Sequence, residues 1–256
     1  MDRAGFVGAD GSTHHGTLDL SIFGCVPNLT IMAPSDELEL KRMVMTQASY
    51  NDGPTILRYP RGNGYGMDKL RSTFGYQDND IVNDQGQILE IGKGRIVRTC
   101  SSGVTAPGGG CRGLTKNNRV AILSLGTRLE ESLIAAQDLE ERDPSVCVTV
   151  ADARFMKPLD TDLIQQLADE HSCLVTVEEG SIGGFGDHVL HYLSHNGFLD
   201  DGELRFRPMV IPDIIFEAGT QYQQYEKAGL NAKHIKDILF DLLSSSRRRR
   251  RNQTMR

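Results

Sequence analysis

Three side chains with reactive groups lie in a glycine-rich stretch at the start of the chain. The segment 2–16 reads DRAGFVGADGSTHHG and carries Arg3, Asp10 and His14. Glycine lets a backbone approach a bound molecule closely, and a carboxylate and an imidazole can supply charge and move a proton. The segment therefore predicts an active-site loop. From spacing alone, a turn aspartate and a solvated histidine are the simpler explanation of Asp10 and His14.

The residues after this loop predict a small parallel sheet that would position it. The run 29–33 is short, apolar and typical of a strand, and Ser35 is suited to cap a helix that extends to Tyr50. A second strand is predicted at 55–59. Strand, helix and strand with short connections imply parallel neighbours, whose carboxyl ends carry functional loops. The segment 58–62 is therefore expected beside a binding crevice.

The second half of the chain alternates apolar strand patterns with amphipathic helix patterns. Strands are predicted at 119–126, 147–151, 173–177 and 206–211, and helices at 127–142, 161–171, 185–194 and 232–243. The first three strand runs are too apolar to face water on either side, which is typical of parallel sheets with helices on both faces. The fold class predicted is α/β, with a doubly wound, largely parallel sheet in this half.

Composition divides the chain into four parts. Residues 1–66 hold the first strand-helix-strand unit, 119–244 hold the second unit, and 67–118 lack a clear pattern and are interpreted as a linker. Within the linker, 99–118 contains a low-complexity insertion rich in glycine and serine, which is too polar to bury a core. The last segment, 245–256, contains five consecutive arginines and predicts a disordered basic tail.

Charge and hydropathy narrow the classes of protein. The formal net charge of −6 argues against general binding of nucleic acid, which needs cations clustered over a face. No run is long and apolar enough for a membrane-spanning helix. The five cysteines include no C-x-x-C pair, and their odd number and irregular spacing favour a reducing compartment over a disulfide framework. We therefore expect neither a nucleic-acid partner nor a membrane.

Several motifs follow one another in a defined order along the chain. They are DRAG at 2–5, GADGSTH at 8–14, MAPSD at 32–36, DGP at 52–54, RYPRGN at 58–63, FMKPLD at 155–160 and EEGSIGGFG at 178–186. Together they resemble the 1-deoxy-D-xylulose-5-phosphate synthase family, which uses thiamine diphosphate and is of the transketolase type. The resemblance extends from Asp2 to about Leu243, excluding much of 64–118. It implies a partial thiamine-diphosphate pyrimidine-type domain followed by a transketolase C-terminal domain.

The resemblance also implies an activity and roles for four residues. The family condenses pyruvate, with decarboxylation, and D-glyceraldehyde 3-phosphate to 1-deoxy-D-xylulose 5-phosphate, a precursor in isoprenoid and thiamine synthesis, and a homodimer is implied. By resemblance, Asp10 and His14 are catalytic residues that face the thiazolium and the substrate, and Arg3 and Arg61 bind the phosphate of the aldehyde. Guanidinium groups suit phosphate because each offers a planar charged fork. Two surface arginines without a partner are the plain alternative.

Four neighbouring features are expected to be structural. Arg58 precedes Arg61 by three residues, so in a strand the two side chains point to opposite faces. We therefore expect Arg58 in a structural ion pair. His15 must point away from its neighbour in most backbone conformations. The glycines of 180–186 lack the G-x-G-x-x-G order of a nucleotide fingerprint and predict a packing turn. The histidines of 188–195 have helical spacing but no completing ligand set, which favours a polar helix face over a metal site.

Groups that the family needs are missing from this sequence. By resemblance, the glutamate that activates the cofactor, an aromatic residue on its aminopyrimidine, and a Gly-Asp-Gly…Asn segment for magnesium and diphosphate lie upstream of the position of Asp2. The segments 9–11 and 51–53 do not supply that pattern. We therefore expect thiamine diphosphate and magnesium as cofactors whose main anchoring residues are absent here. No metal ligand is predicted in this chain, and alone it is expected to be inactive.

Two other functions stay open. Another transketolase-type enzyme, such as a transketolase or the β subunit of a 2-oxoacid dehydrogenase, would share this layout, although the motifs at 58–62 and 178–186 favour the synthase. A non-catalytic dimerisation module is the alternative from a different class. The insertion and the arginine tail favour the plastid stroma over the bacterial cytoplasm as the compartment.

Overall fold

The computed structural model describes residues 1–99 and 115–254, with side chains described up to residue 244. The strands are β1 Thr30–Met32, β2 Thr55–Leu57, β3 Arg95–Arg98, β4 Arg119–Ser124, β5 Cys147–Asp152, β6 Phe155–Lys157, β7 Cys173–Ser181 and β8 Arg205–Ile211. The α-helices are α1 Asp19–Phe23, α2 Glu37–Ser49, α3 Met67–Ser72, α4 Asp78–Val82, α5 Leu129–Arg142, α6 Thr161–Glu170, α7 Phe185–His195, α8 Gln221–Ala228 and α9 Ala232–Thr254.

A five-stranded sheet lies at the centre of the second half of the chain. Its strand order is β3-β5-β4-β7-β8, and all neighbours are parallel except β3, which runs antiparallel to β5. Along β4, Val120 and Ile122 pack into one core with α5 and α9, whereas Ala121 and Leu123 pack into a second core with α6 and α7. Helices thus cover both faces of the sheet, which buries its central strands on both sides. The predicted doubly wound, largely parallel sheet is confirmed.

A three-stranded sheet carries the first half of the chain. β1 and β2 are parallel, as predicted, with Thr30 opposite Thr55 and Met32 opposite Leu57. On its other side β1 pairs antiparallel with β6, a strand from the segment that was predicted to form the second unit. The two units therefore share a sheet. The boundaries at residues 66, 118 and 244 stay predictions.

The N-cap of α2 differs from the sequence prediction by one residue. Asp36, not Ser35, caps the helix, because its Oδ1 accepts hydrogen bonds from the backbone N–H groups of Leu38 at 3.0 Å and Glu39 at 2.9 Å. The Ser35 hydroxyl instead donates to Asp152 Oδ2 at 2.9 Å. A contact with the second unit thus draws this serine away from the helix end.

The segment predicted as a linker contains regular structure. Its described parts, 67–99 and 115–118, hold α3, α4, β3 and a 3-10 turn at Lys116–Asn118. β3 is stabilised as an edge strand by pairing with β5, a tertiary contact that local sequence does not reveal. The low-complexity stretch 101–111 lies outside the described residues. At the other end of the chain, α9 continues through 245–254, where the sequence predicted a disordered tail.

The described cysteines differ in their bonding state. Cys25 and Cys173 are free thiols, and Cys147 is disulfide-bonded. Spacing could not anticipate this bond because the pairing depends on which thiols the fold brings together. Within the described part of the chain, no helix is both long and apolar enough to cross a membrane.

Candidate functional site

The glycine-rich segment 2–16, called the N-terminal loop below, folds back on itself and on the first sheet. Gly5 and Gly16 exchange backbone hydrogen bonds of 2.8 and 3.0 Å, and the Ala4 N–H donates to the carbonyl of Tyr59 at 3.0 Å. Two short 3-10 turns then span Gly8–Asp10 and Ser12–His14. These contacts place the loop at the carboxyl end of β2, the edge where the sequence predicted a binding crevice.

Helix α8 of the second unit holds the N-terminal loop from the other side. The Tyr225 hydroxyl accepts from the Phe6 N–H at 3.2 Å, and Gln221 Nε2 donates to the Phe6 carbonyl at 2.7 Å. Gly5 has φ +71°, and a Cβ at that position would lie 2.4 Å from Tyr225 Oη. Only glycine therefore permits both the backbone conformation and the close approach of the loop to the helix.

Asp10 and Arg61, which the sequence assigned to different roles, meet at the rim of this loop. Arg61 Nε lies 3.0 Å from Asp10 Oδ2, and the two side chains are 51% and 32% exposed, respectively. Arg61 Nη1 also donates to the carbonyl of Val7 at 3.3 Å, and the Arg61 carbonyl accepts from Gln221 Nε2 at 3.0 Å. The guanidinium is thus oriented by two partners while half of the side-chain surface remains open to a ligand.

Arg3 and His14 are exposed on the same loop. Within residues 1–99 and 115–254, the Arg3 side chain has no hydrogen-bond or ion-pair partner. The backbone of the next residue, Ala4, pairs with Gly16 and with Tyr59, two residues after β2. His14 Nδ1 lies 2.9 Å from the hydroxyl of Thr13. Arg3 therefore offers a free cation, and the imidazole of His14 is accessible from solvent.

His15 is placed differently from His14. Its Nδ1 accepts from the Val7 N–H at 3.2 Å, so Nε2 carries the proton and donates to the Phe216 carbonyl at 3.2 Å. The ring packs edge-on against Phe6. Burial lowers the pKa of His15, which favours this neutral form. His15 thus supports the loop, the structural role expected from the sequence.

A buried group of charged side chains lies beneath the loop. Arg58 is 1% exposed, and its Nε lies 2.6 Å from Asp19 Oδ2, while its Nη1 lies 3.8 Å from Glu179 Oε2. Glu179 Oε1 also accepts from the Tyr225 hydroxyl at 3.0 Å. Burial alone would lower the pKa of Arg58, but Asp19 and Glu179 raise it above its ordinary value. Arg58 is therefore the structural ion-pair residue that its spacing predicted, and it joins the two units.

A cleft of about 510 Å³ opens between the two units. Arg61 and Tyr65 line one wall, and Arg128 and Tyr225 line the other. The Arg128 guanidinium carbon lies 3.6 Å from the centroid of the Tyr225 ring. Among the described residues that line this cleft, Arg61 is the one predicted site residue. The cleft and the exposed loop therefore meet at the Arg61 side chain.

A second network of buried charges lies at the start of α2. Glu39 of α2 is fully buried, and its carboxylate contacts Arg154 at 2.7 Å, Arg42 at 3.1 Å and Arg95 at 3.5 Å. Burial alone would raise the pKa of Glu39, but Arg95 and Arg154 lower it below its ordinary value. Burial raises the pKa of neighbouring Asp152 to about 6. Because Arg154 and Asp152 come from the second unit, this network holds the two units together.

The glycine motif at 178–186 encloses a carboxylate of the chain itself. Glu178 is fully buried, and its two oxygens accept from the backbone N–H groups of Phe185 at 3.0 Å and Gly186 at 2.7 Å, at the start of α7. A Cβ at Gly184 would lie 2.4 Å from Glu178 Oε2. The motif is thus a packing turn, as predicted, and its helix N-terminus is already occupied by a side chain.

The described residues provide no metal site. Within residues 1–99 and 115–254, no group of three or more His, Cys, Asp or Glu side chains is arranged to hold a metal ion. His191 and His195 stack with their ring centroids 5.9 Å apart on α7, which gives the polar helix face expected there.

Sequence reasoning missed the side chains that hold the loop from the second unit. Gln221, Gln224 and Tyr225 all contact the N-terminal loop. Their positions i, i+3 and i+4 lie on one face of a helix. The run QYQQY at 221–225 contains that signal, but nothing local says which segment the face would contact.

Comparisons with known proteins agree with this architecture. Residues 1–66 match the transketolase pyrimidine binding domain, and residues 109–235 match the transketolase C-terminal domain. A protein of Oryza sativa subsp. japonica, named probable 1-deoxy-D-xylulose-5-phosphate synthase 2, chloroplastic, is 47% identical over 245 residues, which are 95% of this chain and 30% of the rice protein. The chain thus spans about 30% of the length of that relative.

A solved structure has the same fold. A split gene transketolase, described as an inactive beta4 tetramer, superposes with a TM-score of 0.68 at 24% identity, covering 95% of this chain and 65% of that one.

Proposed function

Because this chain belongs to the 1-deoxy-D-xylulose-5-phosphate synthase family of transketolase-type proteins, we propose that it supplies the substrate-binding side of such an enzyme. The reaction is the condensation of pyruvate, with loss of carbon dioxide, and D-glyceraldehyde 3-phosphate to 1-deoxy-D-xylulose 5-phosphate. Its product serves isoprenoid and thiamine synthesis.

The ion pair of Asp10 with Arg61 is the observation that supports this proposal most directly. It joins the N-terminal loop to the segment after β2 and leaves the Arg61 side chain 51% exposed. An exposed pair contributes little to stability, at most about 1 kcal/mol, but it restricts the direction in which a planar fork points. Arg61, together with the free guanidinium of Arg3, would bind the phosphate of the aldehyde.

His14 would move a proton at the substrate. Its imidazole is exposed on the same loop, two residues from the backbone pairing of Gly16 with Gly5. An imidazole can act as general acid and general base in one catalytic cycle. Asp10 would hold Arg61 in place and contribute negative charge beside it.

Thiamine diphosphate and magnesium are proposed as cofactors, but the segments 9–11 and 51–53 do not supply the Gly-Asp-Gly…Asn pattern that holds them in this family. We therefore propose that their anchors lie outside this chain and that the chain alone is inactive. Isothermal titration of the chain with thiamine diphosphate and magnesium is expected to give no tight binding. Stoichiometric binding at micromolar concentration would contradict this proposal.

The phosphate assignment is testable in a joined protein, in which this chain is combined with the portion of the rice relative that it does not cover. Arg61→Ala is expected to raise the KM for D-glyceraldehyde 3-phosphate about tenfold to a hundredfold, because a charge-assisted hydrogen bond is lost. The KM for unphosphorylated D-glyceraldehyde should not change.

Arg71→Ala is the matched control for this test, because Arg71 is also an exposed arginine paired with carboxylates, here Asp68 and Asp78. It should leave both KM values unchanged. An unaltered KM for the phosphorylated aldehyde in Arg61→Ala would remove the phosphate assignment. A donor screen of pyruvate against ketose phosphates separates this activity from that of other transketolase-type enzymes.

We further propose that the protein is a homodimer in the plastid stroma, with the bacterial cytoplasm as the alternative compartment. The rice relative is named as chloroplastic, which supports a plastid. Sedimentation of the joined protein tests the dimer, and imaging of a fluorescent fusion of the complete gene product tests the compartment.

A further inference from the structure

Gln224 makes a paired contact with the backbone of Gly8. The Gly8 N–H donates to Gln224 Oε1 at 3.0 Å, and Gln224 Nε2 donates back to the Gly8 carbonyl at 3.1 Å. The second hydrogen of the amide is bonded to the carbonyl of Glu217 at 2.8 Å. Gln224 is 4% exposed. The side chain therefore satisfies both backbone groups of one loop residue inside the protein.

The position of Gly8 decides where the proposed substrate-binding groups lie. Gly8 begins the 3-10 turn that ends at Asp10, and its φ is +75°. Beyond this turn, the residues up to His14 are exposed apart from Gly11. The contact of Gln224 with Gly8 is thus the last buried side-chain support before Asp10, the residue that pairs with Arg61.

We propose that Gln224 is a positioning residue for the substrate-binding loop, acting through Gly8 and Asp10 on Arg61. This inference rests on the proposed function. In the described part of the chain, Gln224 bonds to none of the four residues assigned to substrate or catalysis. Helix α8 of the second unit thereby orients the Arg61 side chain, which belongs to the first unit. The ligand whose binding depends on this orientation is the phosphorylated aldehyde.

The first test measures loop order in the chain itself. Gln224→Met keeps the length of the side chain but removes its hydrogen bonds. Amide hydrogen exchange of residues 6–11 is expected to become at least about tenfold faster, with α5 unchanged. Gln223→Met is the matched control: it is on the same helix, it is exposed, and its hydrogen bonds stay within the capping box with Thr220. It should leave exchange in the loop as in the wild type.

The second test measures catalysis in the joined protein. Gln224→Met is expected to raise the KM for D-glyceraldehyde 3-phosphate about tenfold, which corresponds to about 1.4 kcal/mol, with a smaller change in kcat. The KM for unphosphorylated D-glyceraldehyde should stay within about twofold of the wild-type value. A purely structural role would instead lower the amount of active enzyme and leave both KM values unchanged.

Gln224→Glu provides a second variant should the methionine variant fail to fold. Its carboxylate still accepts the Gly8 N–H but repels the carbonyls of Gly8 and Glu217, and a rise in KM at least as large is expected. Wild-type loop exchange together with a wild-type KM in either folded variant would overturn the proposal. If the joined wild-type protein has no synthase activity, the proposed function fails, while the exchange experiment still decides whether Gln224 orders the loop.

Discussion

Replacement of Gly5 by alanine tests how tightly the N-terminal loop is held against helix α8. An alanine there has to adopt φ +71° and places its Cβ 2.4 Å from Tyr225 Oη. The left-handed conformation costs about 1–2 kcal/mol. The Tyr225 hydroxyl must also move, which disturbs its bonds to Glu179 at 3.0 Å and to Phe6 at 3.2 Å. Exposing or breaking such buried bonds costs about 1–3 kcal/mol.

Together the two effects predict that Gly5→Ala lowers the free energy of unfolding by about 3 kcal/mol. Gly229→Ala is the matched control, because Gly229 has φ +74° and a Cβ placed there would meet no atom of the described residues within 4 Å. It should cost only the backbone share, about 1–2 kcal/mol. Guanidinium unfolding followed by circular dichroism measures both variants.

Removal of the Tyr225 hydroxyl tests the steric explanation independently. In a Tyr225→Phe background the added methyl group no longer meets an oxygen, although Glu179 Cβ still lies 3.1 Å away. The additional cost of Gly5→Ala should therefore fall by about 1–2 kcal/mol. An equal cost of Gly5→Ala in both backgrounds, or a cost no larger than that of Gly229→Ala, would refute the steric explanation.

Two further variants test the buried charges. Burial raises the pKa of Glu178 from 4.5 to about 7, so the unfolded chain releases this proton at lower pH than the folded chain, and stability declines as pH rises from about 4.5 through 7. At about 1.4 kcal/mol per pH unit, the wild type should lose about 3 kcal/mol relative to Glu178→Gln between about pH 4 and 8; parallel pH profiles in denaturant titrations would contradict the buried carboxyl. Asp19→Asn removes the charge opposite buried Arg58 and should lower the free energy of unfolding by about 3–5 kcal/mol, whereas Asp68→Asn at the surface should have no measurable effect in the same experiment. If Asp19→Asn lowers the free energy of unfolding as little as Asp68→Asn does, the Asp19 carboxylate is not the counter-ion of Arg58.

Elements whose signal is local could be predicted from the sequence. The apolar runs of β4, β5 and β7 and the amphipathic pattern of α5 predicted the doubly wound sheet, because a strand buried on both faces must be apolar along its length. The ordered motifs indicated the family. The role of Arg58 as an ion-pair residue followed from its spacing alone. The substrate and catalytic roles of Arg3, Asp10, His14 and Arg61 stay predictions.

The way in which these parts meet depends on contacts between residues that are distant in sequence. β3 and β6 are short strands, and each is stabilised by pairing with a neighbouring strand, β3 with β5 and β6 with β1. Asp36 caps α2, and the hydroxyl of Ser35 binds Asp152 of the second unit. The pairing of Asp10 with Arg61, and of Gly8 with Gln224, joins residues 51 and 216 positions apart. The apolar periodicity of a segment predicts which of its residues are buried, but not which distant side chain completes a hydrogen bond. These long-range hydrogen bonds determine the geometry of the site.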